Sequence, residues 1–353
     1  ASVERYFRLL QAYGVTVLRL LLTPYDTFWM WRHWSAHPYN CRNGGPCPDR
    51  GRWLLSLEMR TAIKQRYAFT IERWESGAIF AWDLWNELHP AHGGNSTAPF
   101  VDFITDLSEF VRGAEIRRYG RAHPQTVSYF GPTLVEHPHI AEAVFGHPLL
   151  DFASTHFYER DTIDCPRNTV DPAISTGGLI REALAHIHDM RPFLDSEHGP
   201  IYLFKDQRIT LPAALAQRHP HQLTPGRRAA QAALARFLPL IDWQHYRRRN
   251  LNDELSATEG DPALFGSGDK EQAVVWLLRK DTLGADGRLR QELHPYNDPA
   301  LPGLRSGDYR ITAWDTSLGT ATDVITLRHH GEGNLCIPLP PVVTDLALAV
   351  RRC

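Results

Sequence analysis

The sequence has no surplus of positive charge and no long hydrophobic run, and each absence excludes a class of protein. Lys and Arg number 38 against 40 Asp and Glu, so a surface that neutralises nucleic-acid phosphates is not expected. No stretch approaches the roughly 20 uninterrupted apolar residues of a membrane-spanning helix, so we expect no membrane association. The first five residues also lack the charged-then-apolar pattern of a signal peptide.

Cysteine is also scarce, with five residues in the chain. The sequence contains neither a C-x-x-C pair nor an H-E-x-x-H motif, and we interpret its His-x-His motifs as surface histidines. We therefore predict no metal site and no cofactor. Cys41 and Cys47 flank a Gly/Pro-rich loop, where the spacing is compatible with either a short disulfide or two unpaired thiols.

Helical and strand-like segments alternate over roughly the first 250 residues. An amphipathic helix over 2–13 is followed by an apolar run over 15–22, which is typical of a strand buried on both faces. Further helices are predicted over 57–74, 100–119, 140–145, 178–190 and 225–240, and further strands over 78–86, 125–130, 150–156, 192–196 and 241–246. This alternation predicts an α/β fold with a parallel sheet.

The pattern changes beyond about residue 252. Helical periodicity gives way to short strand-like runs over 272–279, 309–315, 323–327, 335–338 and 344–350. Short strands separated by turns predict a small antiparallel β-sandwich at the C-terminus.

Two of the predicted parallel strands end in a carboxylate. Glu87 follows the run Phe-Ala-Trp-Asp-Leu-Trp-Asn, and Glu197 lies in the run Asp-Ser-Glu-His-Gly. Cleavage of a glycosidic bond needs two carboxyl groups on opposite sides of that bond, one protonated and one ionised. Glu87 and Glu197 fit that need.

These two motifs resemble those of glycoside hydrolase clan A, the (β/α)8-barrel group that includes family 5 cellulases and mannanases. Trp85-Asn86-Glu87 matches the Asn-Glu that closes strand 4 in that clan, and Asp195-Ser196-Glu197-His198-Gly199 matches the Glu that closes strand 7. The resemblance covers about residues 2–250. It implies a catalytic TIM (β/α)8-type barrel over 1–251, followed by the β-sandwich domain over 252–353.

The resemblance also implies roles for individual residues. Glu87 would be the general acid/base, Glu197 the nucleophile, and Asn86 a donor to the sugar 2-hydroxyl. His156 and Tyr158 match a strand 6 pair of the family, and residues two apart point the same way from a strand. Tyr158 would then donate a hydrogen bond to Glu197, while His156 would line the sugar subsite.

Aromatic residues supply further candidates for sugar binding. Trp243 is the nearest match to the family's Trp beneath the sugar. In the strand 3 loop, a sugar-stacking wall and packing of the loop on itself are both compatible with its polar and aromatic residues, which are Tyr25, Asp26, Trp29, Trp31 and Trp34.

The chain departs from the clan in its strand count. If Glu87 closes strand 4, then the run over 15–22 is strand 3, the six predicted strands are strands 3 to 8, and strands 1 and 2 are missing. The clan's strand 2 Arg therefore has no counterpart. Because an exposed parallel edge favours aggregation, we expect an upstream segment or a second chain to cover strand 3.

Together these features predict a retaining glycoside hydrolase that cleaves β-linked oligo- or polysaccharide by double displacement. The alternative is a non-catalytic barrel that binds carbohydrate or a partner, which the missing strands would also fit. We expect a secreted or periplasmic location, with the targeting segment outside this sequence. The sugar and the linkage are left open.

Overall fold

The computed structural model describes residues 2–14, 17–21, 34–73, 79–131, 133–159, 170–200, 225–257, 262–281, 290, 292–293 and 298–353. The chain divides into two compact units, Ala1–Glu159 with Gly178–Ile201 and Arg160–Gly177 with Tyr202–Cys353. The domain boundary at residues 251 and 252 stays a prediction. No described helix combines the length and the apolar character needed to cross a membrane.

Helices and parallel strands alternate through the first unit, which confirms the predicted α/β class. Its elements are α1 Ser2–Ala12, β1 Val17–Leu21, α2 Leu57–Arg73, β2 Ile79–Asp83, α3 Ala98–Tyr119, β3 Gln125–Thr126, β4 Ser128–Phe130, α4 Thr133–Glu136, α5 Pro138–Phe145, β5 Ala153–Glu159, α6 Val170–Ala185 and β6 Phe193–Pro200. Helix α6 begins in the second unit and ends in the first.

The parallel strands of the first unit pair in two groups, β1-β2-β3 and β4-β5-β6. Val127 alone separates β3 from β4, and Leu88 forms a parallel bridge with Tyr129 beside them. Neighbouring strands therefore lie side by side in the order β2, β4, β5 and β6, with their carboxyl ends on the same side. Chemistry in parallel α/β folds concentrates at that edge.

A bulge interrupts the pairing of β5 with β6. Thr155 pairs with Asp195, but the next residue, His156, pairs with Glu197, so Ser196 is an extra residue in β6. The hydroxyl of Ser196 lies 2.7 Å from that of Ser154, which puts the two serines on a common face. The bulge therefore breaks the two-residue alternation that the sequence predicts along β6.

Helices α2 and α3 supply much of the core of the first unit. In α2 the residues Met59, Ile63 and Tyr67 recur at four-residue spacing and are fully buried, as is typical of an amphipathic helix. In α3 the equivalent apolar face includes Phe103 and Leu107.

The second unit contains antiparallel strands, as predicted. Its remaining elements are α7 Pro225–Phe237, β7 Arg249–Asn250, β8 Ser256–Ala257, β9 Ala263–Gly268, β10 Gln272–Leu278, β11 Pro299–Leu301, β12 Gly307–Asp315, β13 Thr320–His329, β14 Leu335–Cys336 and β15 Asp345–Arg352. The strands form one sheet in the order β13-β12-β15-β10-β9-β7 and another in the order β14-β11-β8. Val275 and Leu348 of the larger sheet share a core with Leu301 and Leu335 of the smaller one. Their arrangement as a β-sandwich stays a prediction.

The short strand predicted over 241–246 is wrong, because this segment forms a turn. Asp242 accepts hydrogen bonds from the backbone N–H of His245 at its carbonyl and from the His245 ring at its carboxylate, at 3.2 and 3.0 Å. Such local bonds compete with the ladder of a sheet. Conversely, strand β9 was missed, because Gly266 and Gly268 weaken the strand signal in its short sequence.

Candidate active site

Glu87, His156 and Glu197 meet at the carboxyl edge of the parallel strands. Nδ1 of His156 lies 3.1 Å from Oε1 of Glu87 and 3.4 Å from Oε2 of Glu197. A ring nitrogen of His156 and one oxygen from each glutamate all lie within 4.8 Å of one another. His156 is fully buried and Glu87 is 9% exposed, whereas the Glu197 side chain is 37% exposed. Solvent therefore reaches the cluster from the Glu197 side.

Each member of this cluster comes from a different element. Glu87 lies in the turn that follows β2, His156 lies on β5, and Glu197 lies on β6. The bulge at Ser196 brings Glu197 opposite His156, since the two residues are paired in the parallel ladder. The structure thus brings together both predicted catalytic residues and the predicted His156.

The backbone of Glu87 adopts an unusual conformation. Its φ is +52°, and among the described residues no other non-glycine has a positive φ. An L-residue in this left-handed region meets steric crowding between its Cβ and the following carbonyl, and such residues cluster at functional sites. The backbone is therefore strained at Glu87, whose carboxylate belongs to the cluster.

Exchanging Glu87 for Gly is expected to stabilise the fold relative to Glu87→Ala by about 1 kcal/mol, because glycine adopts positive φ without the Cβ penalty. Urea unfolding of the two variants measures this difference. Asn86, whose φ is not positive, provides the matched control. There Gly should be no more stable than Ala, and the same ranking at both positions would contradict a strained Glu87.

Ser128 holds this turn from the neighbouring strand. Its hydroxyl accepts a hydrogen bond from the backbone N–H of Glu87 at 3.0 Å and donates one to the carbonyl of Trp85 at 3.2 Å. The backbone N–H of Leu88 donates to the Ser128 carbonyl at 2.8 Å. Asp83 in turn accepts from the Ser128 N–H at 3.0 Å. All of these contacts are buried, so they fix the path of the chain through Glu87.

Aromatic rings pack beneath the turn. The fully buried Trp85 meets Trp53, His92 and Phe103 at ring-centroid distances of 5.6, 5.3 and 5.4 Å. Trp34 stacks on His37 at 5.3 Å and packs against Trp53 at 5.8 Å. For Trp34 the structure thus shows packing within its own loop.

Burial lowers the pKa of His92 from its ordinary value of 6.5 to about 3. The folded protein therefore holds His92 neutral, and the resulting stability is present above pH 6.5 and is lost as the pH falls from 6.5 towards 3. Between about pH 7.5 and pH 5, this residue should reduce the free energy of unfolding by about 2 kcal/mol.

Unfolding of wild type and His92→Asn at both pH values tests this expectation. The pH dependence should be weaker in the variant, whereas replacing the exposed His330 with Asn should leave it unchanged. Equal pH dependence in wild type and His92→Asn would show that His92 is not the acid-sensitive group.

Other predicted site residues have different placements. Asn86 is half-buried and precedes Glu87 in the turn. Tyr158 lies on β5 with its backbone paired to Gly199, but its side chain lies outside the described part of the structure. Four further candidates also lie outside the described residues, namely Tyr25, Asp26, Trp29 and Trp31.

Trp243 belongs to the second unit. Its indole N–H donates to the Leu238 carbonyl at 2.6 Å, and its ring packs edge-on against Tyr246 with 5.4 Å between centroids. Almost half of the residue, 47%, is exposed. A sugar-binding role for Trp243 stays a prediction.

The loop cysteines are free thiols, so of the two alternatives the structure shows the unpaired one. The buried Cys47 thiol donates to the Asp49 carbonyl at 3.0 Å, and burial raises its pKa to about 11. It is therefore protonated and unreactive at neutral pH.

Sequence reasoning missed Ser128, His92 and the bulge at Ser196. Ser128 occupies a predicted strand, but serine in a strand is no functional signal by itself. Its importance arises only because Asp83 and Glu87 approach it from a distant part of the chain.

Comparison with solved structures finds a glycoside hydrolase of similar fold. The chain matches a glycoside hydrolase with a TM-score of 0.50 at 12% identity, over 99% of this chain and 88% of that one. A glycoside hydrolase family 5 protein from Bacteroides vulgatus ATCC 8482 matches with a TM-score of 0.47 at 10% identity, over 83% and 66% of the two chains. A GH30 endoxylanase from Clostridium papyrosolvens C71 matches with a TM-score of 0.40 at 10% identity, over 98% and 92%.

No family model and no curated protein matches the sequence. The predicted resemblance to glycoside hydrolases is confirmed at the level of the fold by the first of the three solved structures.

Proposed function

We propose that this protein is a retaining glycoside hydrolase that cleaves β-linked oligo- or polysaccharide by double displacement. The observation that carries the proposal is the meeting of Glu87 and Glu197 around the buried His156, at the carboxyl edge of parallel strands. This is the edge at which barrel enzymes place their catalytic groups.

The short distance between the carboxylates supports retention of configuration. One oxygen of Glu87 lies within 4.8 Å of one oxygen of Glu197. Retaining enzymes hold their two carboxyl groups about 5 to 5.5 Å apart, whereas inverting enzymes leave about 6.5 to 9.5 Å for a water molecule.

Glu197 is the proposed nucleophile, as its match to the Glu that closes strand 7 in clan A implies, and its 37% exposed side chain can reach a sugar approaching from solvent. Its oxygen attacks the anomeric carbon while Glu87 gives its proton to the leaving glycosidic oxygen. In the second step Glu87 takes a proton from a water molecule. The oxygen of that water attacks the anomeric carbon, and the bond between the sugar and Glu197 breaks.

Several residues are proposed to bind the sugar, with Asn86 donating to its 2-hydroxyl. The others are His156, Tyr158, Trp243, Trp29, Tyr25 and Asp26. We also keep the proposals of a C-terminal β-sandwich, of a covering segment or second chain beside β1, and of a secreted or periplasmic location.

Hydrolysis of aryl β-glucosides, β-mannosides, β-galactosides and a panel of polysaccharides tests the function. NMR spectroscopy of the first product formed should show the β-anomer, because two displacements restore the configuration. An α-anomer formed first would contradict double displacement. Binding of a polysaccharide without hydrolysis of any member of the panel would instead favour the non-catalytic barrel.

A further inference from the structure

The side chains of Glu87, His156 and Glu197 offer two carboxylate oxygens and one imidazole nitrogen to a common point. Within the described part of the chain, no other group of three His, Cys, Asp or Glu side chains brings its ligand atoms so close. Nitrogen and oxygen donors of this kind are ligands of Zn²⁺. We propose that this cluster binds one Zn²⁺ ion and that the bound ion reversibly blocks the site.

The distances suit a tetrahedral ion. Zinc bonds of about 2.0 to 2.1 Å place neighbouring ligand atoms about 3.3 Å apart. Nδ1 of His156 lies 3.1 Å from the Glu87 oxygen and 3.4 Å from the Glu197 oxygen, so two edges of the tetrahedron already have this length. The edge between the two glutamates needs at most a small movement of the more exposed Glu197.

Charge and burial favour the same ion. Two ionised carboxylates within 4.8 Å of each other repel, so a divalent cation that displaces the proton from Glu87 balances both charges. The exposed side of Glu197 provides an entry path and leaves room for a water molecule as the fourth ligand. Mg²⁺ and Ca²⁺ are hard cations that take oxygen ligands, so the imidazole nitrogen of His156 between the two carboxylates favours Zn²⁺ over them.

Blocking follows from the identity of the ligands. A carboxylate that coordinates zinc can neither attack an anomeric carbon nor donate a proton, so zinc and catalysis exclude each other. This inhibition rests on the proposed function, whereas zinc binding itself does not.

Calorimetric titration of the chelator-treated full chain with ZnCl₂ tests the binding, with thermal unfolding as a second readout. Wild type should bind one Zn²⁺ ion at the cluster and gain thermal stability. Titration with MgCl₂ should show no binding and no gain in thermal stability. Glu197→Gln should weaken zinc binding at least about 10-fold, because the amide is a poorer ligand than the carboxylate. This variant changes the most exposed member, so the fold should survive.

The exposed pair of His188 and Glu142 provides the matched control, since its atoms lie 2.9 Å apart away from the cluster. His188→Asn should bind zinc as wild type does. Absence of zinc binding, or equal affinity in wild type and Glu197→Gln, would overturn the proposal.

Hydrolysis measured in the same preparations separates the two proposals. Zinc should inhibit competitively with substrate, and EDTA should restore the full rate. Zinc binding by a protein that hydrolyses no glycoside would contradict only the proposed function. Hydrolysis that continues unchanged at saturating zinc would overturn the blocking role.

Discussion

Replacing Glu197 with Gln is expected to lower kcat on the best aryl β-glycoside by at least about 10³-fold, because the amide cannot form the glycosyl-enzyme intermediate. The change removes a charge from a side chain that is 37% exposed, so the thermal midpoint should change little. Steady-state kinetics and thermal unfolding measure both effects. Glu142→Gln, at an exposed glutamate that pairs with His188, is the control and should keep wild-type activity.

Azide rescue separates the roles of the two glutamates. In Glu197→Ala, azide should occupy the space of the lost carboxylate and attack the anomeric carbon, which gives an α-glycosyl azide from a β-glycoside. In Glu87→Ala, azide should attack the glycosyl-enzyme intermediate in place of water and give the β-azide. Products of the opposite configurations would exchange the two assignments, and retained activity in Glu197→Gln would remove this residue from the mechanism.

Ser128→Ala is expected to lower kcat about 10- to 100-fold while KM stays nearly unchanged, because a small displacement of a catalytic group is costly. The Ser128 hydroxyl accepts from the Glu87 N–H at 3.0 Å, and alanine leaves this buried donor without its acceptor. The strained turn can then move Glu87 away from His156. Ser128→Thr retains the hydroxyl and should restore most of the rate.

A buried serine elsewhere in the fold shows whether the loss of kcat in Ser128→Ala comes from displacement of Glu87 or from general destabilisation. Ser108 of α3 donates to Gln125 of β3 at 2.6 Å and is also fully buried, but it has no hydrogen bond to the turn at Glu87 among those described. Each alanine variant should lose about 1 to 3 kcal/mol of stability. Ser108→Ala should nevertheless keep kcat, and an equal loss of kcat in both variants would mean that Ser128 does not position Glu87.

Much of the fold follows from local patterns. The alternation of amphipathic helices with apolar runs predicts most elements from α1 to β6, because burial on one helical stripe or on both strand faces leaves distinct periods in the sequence. It misses the four-residue helix α4 and predicts β3 and β4 as a single strand. The turn over 241–246 is not predicted by these patterns. Its six residues have the pattern of a short strand, but the local hydrogen bond between Asp242 and His245 stabilises a turn instead.

The sequence by itself determined the identity of the two glutamates. Each follows an apolar run, and parallel strands in an α/β fold place the residues at their carboxyl ends along one edge. Local order therefore predicted that Glu87 and Glu197 lie at the same edge of the sheet, and the resemblance to clan A added His156 as a residue that lines the sugar subsite.

Only the tertiary structure decided how these groups face one another. The left-handed backbone of Glu87 is strained in isolation and persists because Ser128 of β4 bonds to its turn, while Asp83 of β2 accepts a hydrogen bond from the Ser128 N–H. The bulge at Ser196 likewise appears only when β6 pairs with β5, and it is this pairing that sets Glu197 opposite His156. Both features depend on contacts between segments more than 40 residues apart, and no pattern within one segment records such contacts.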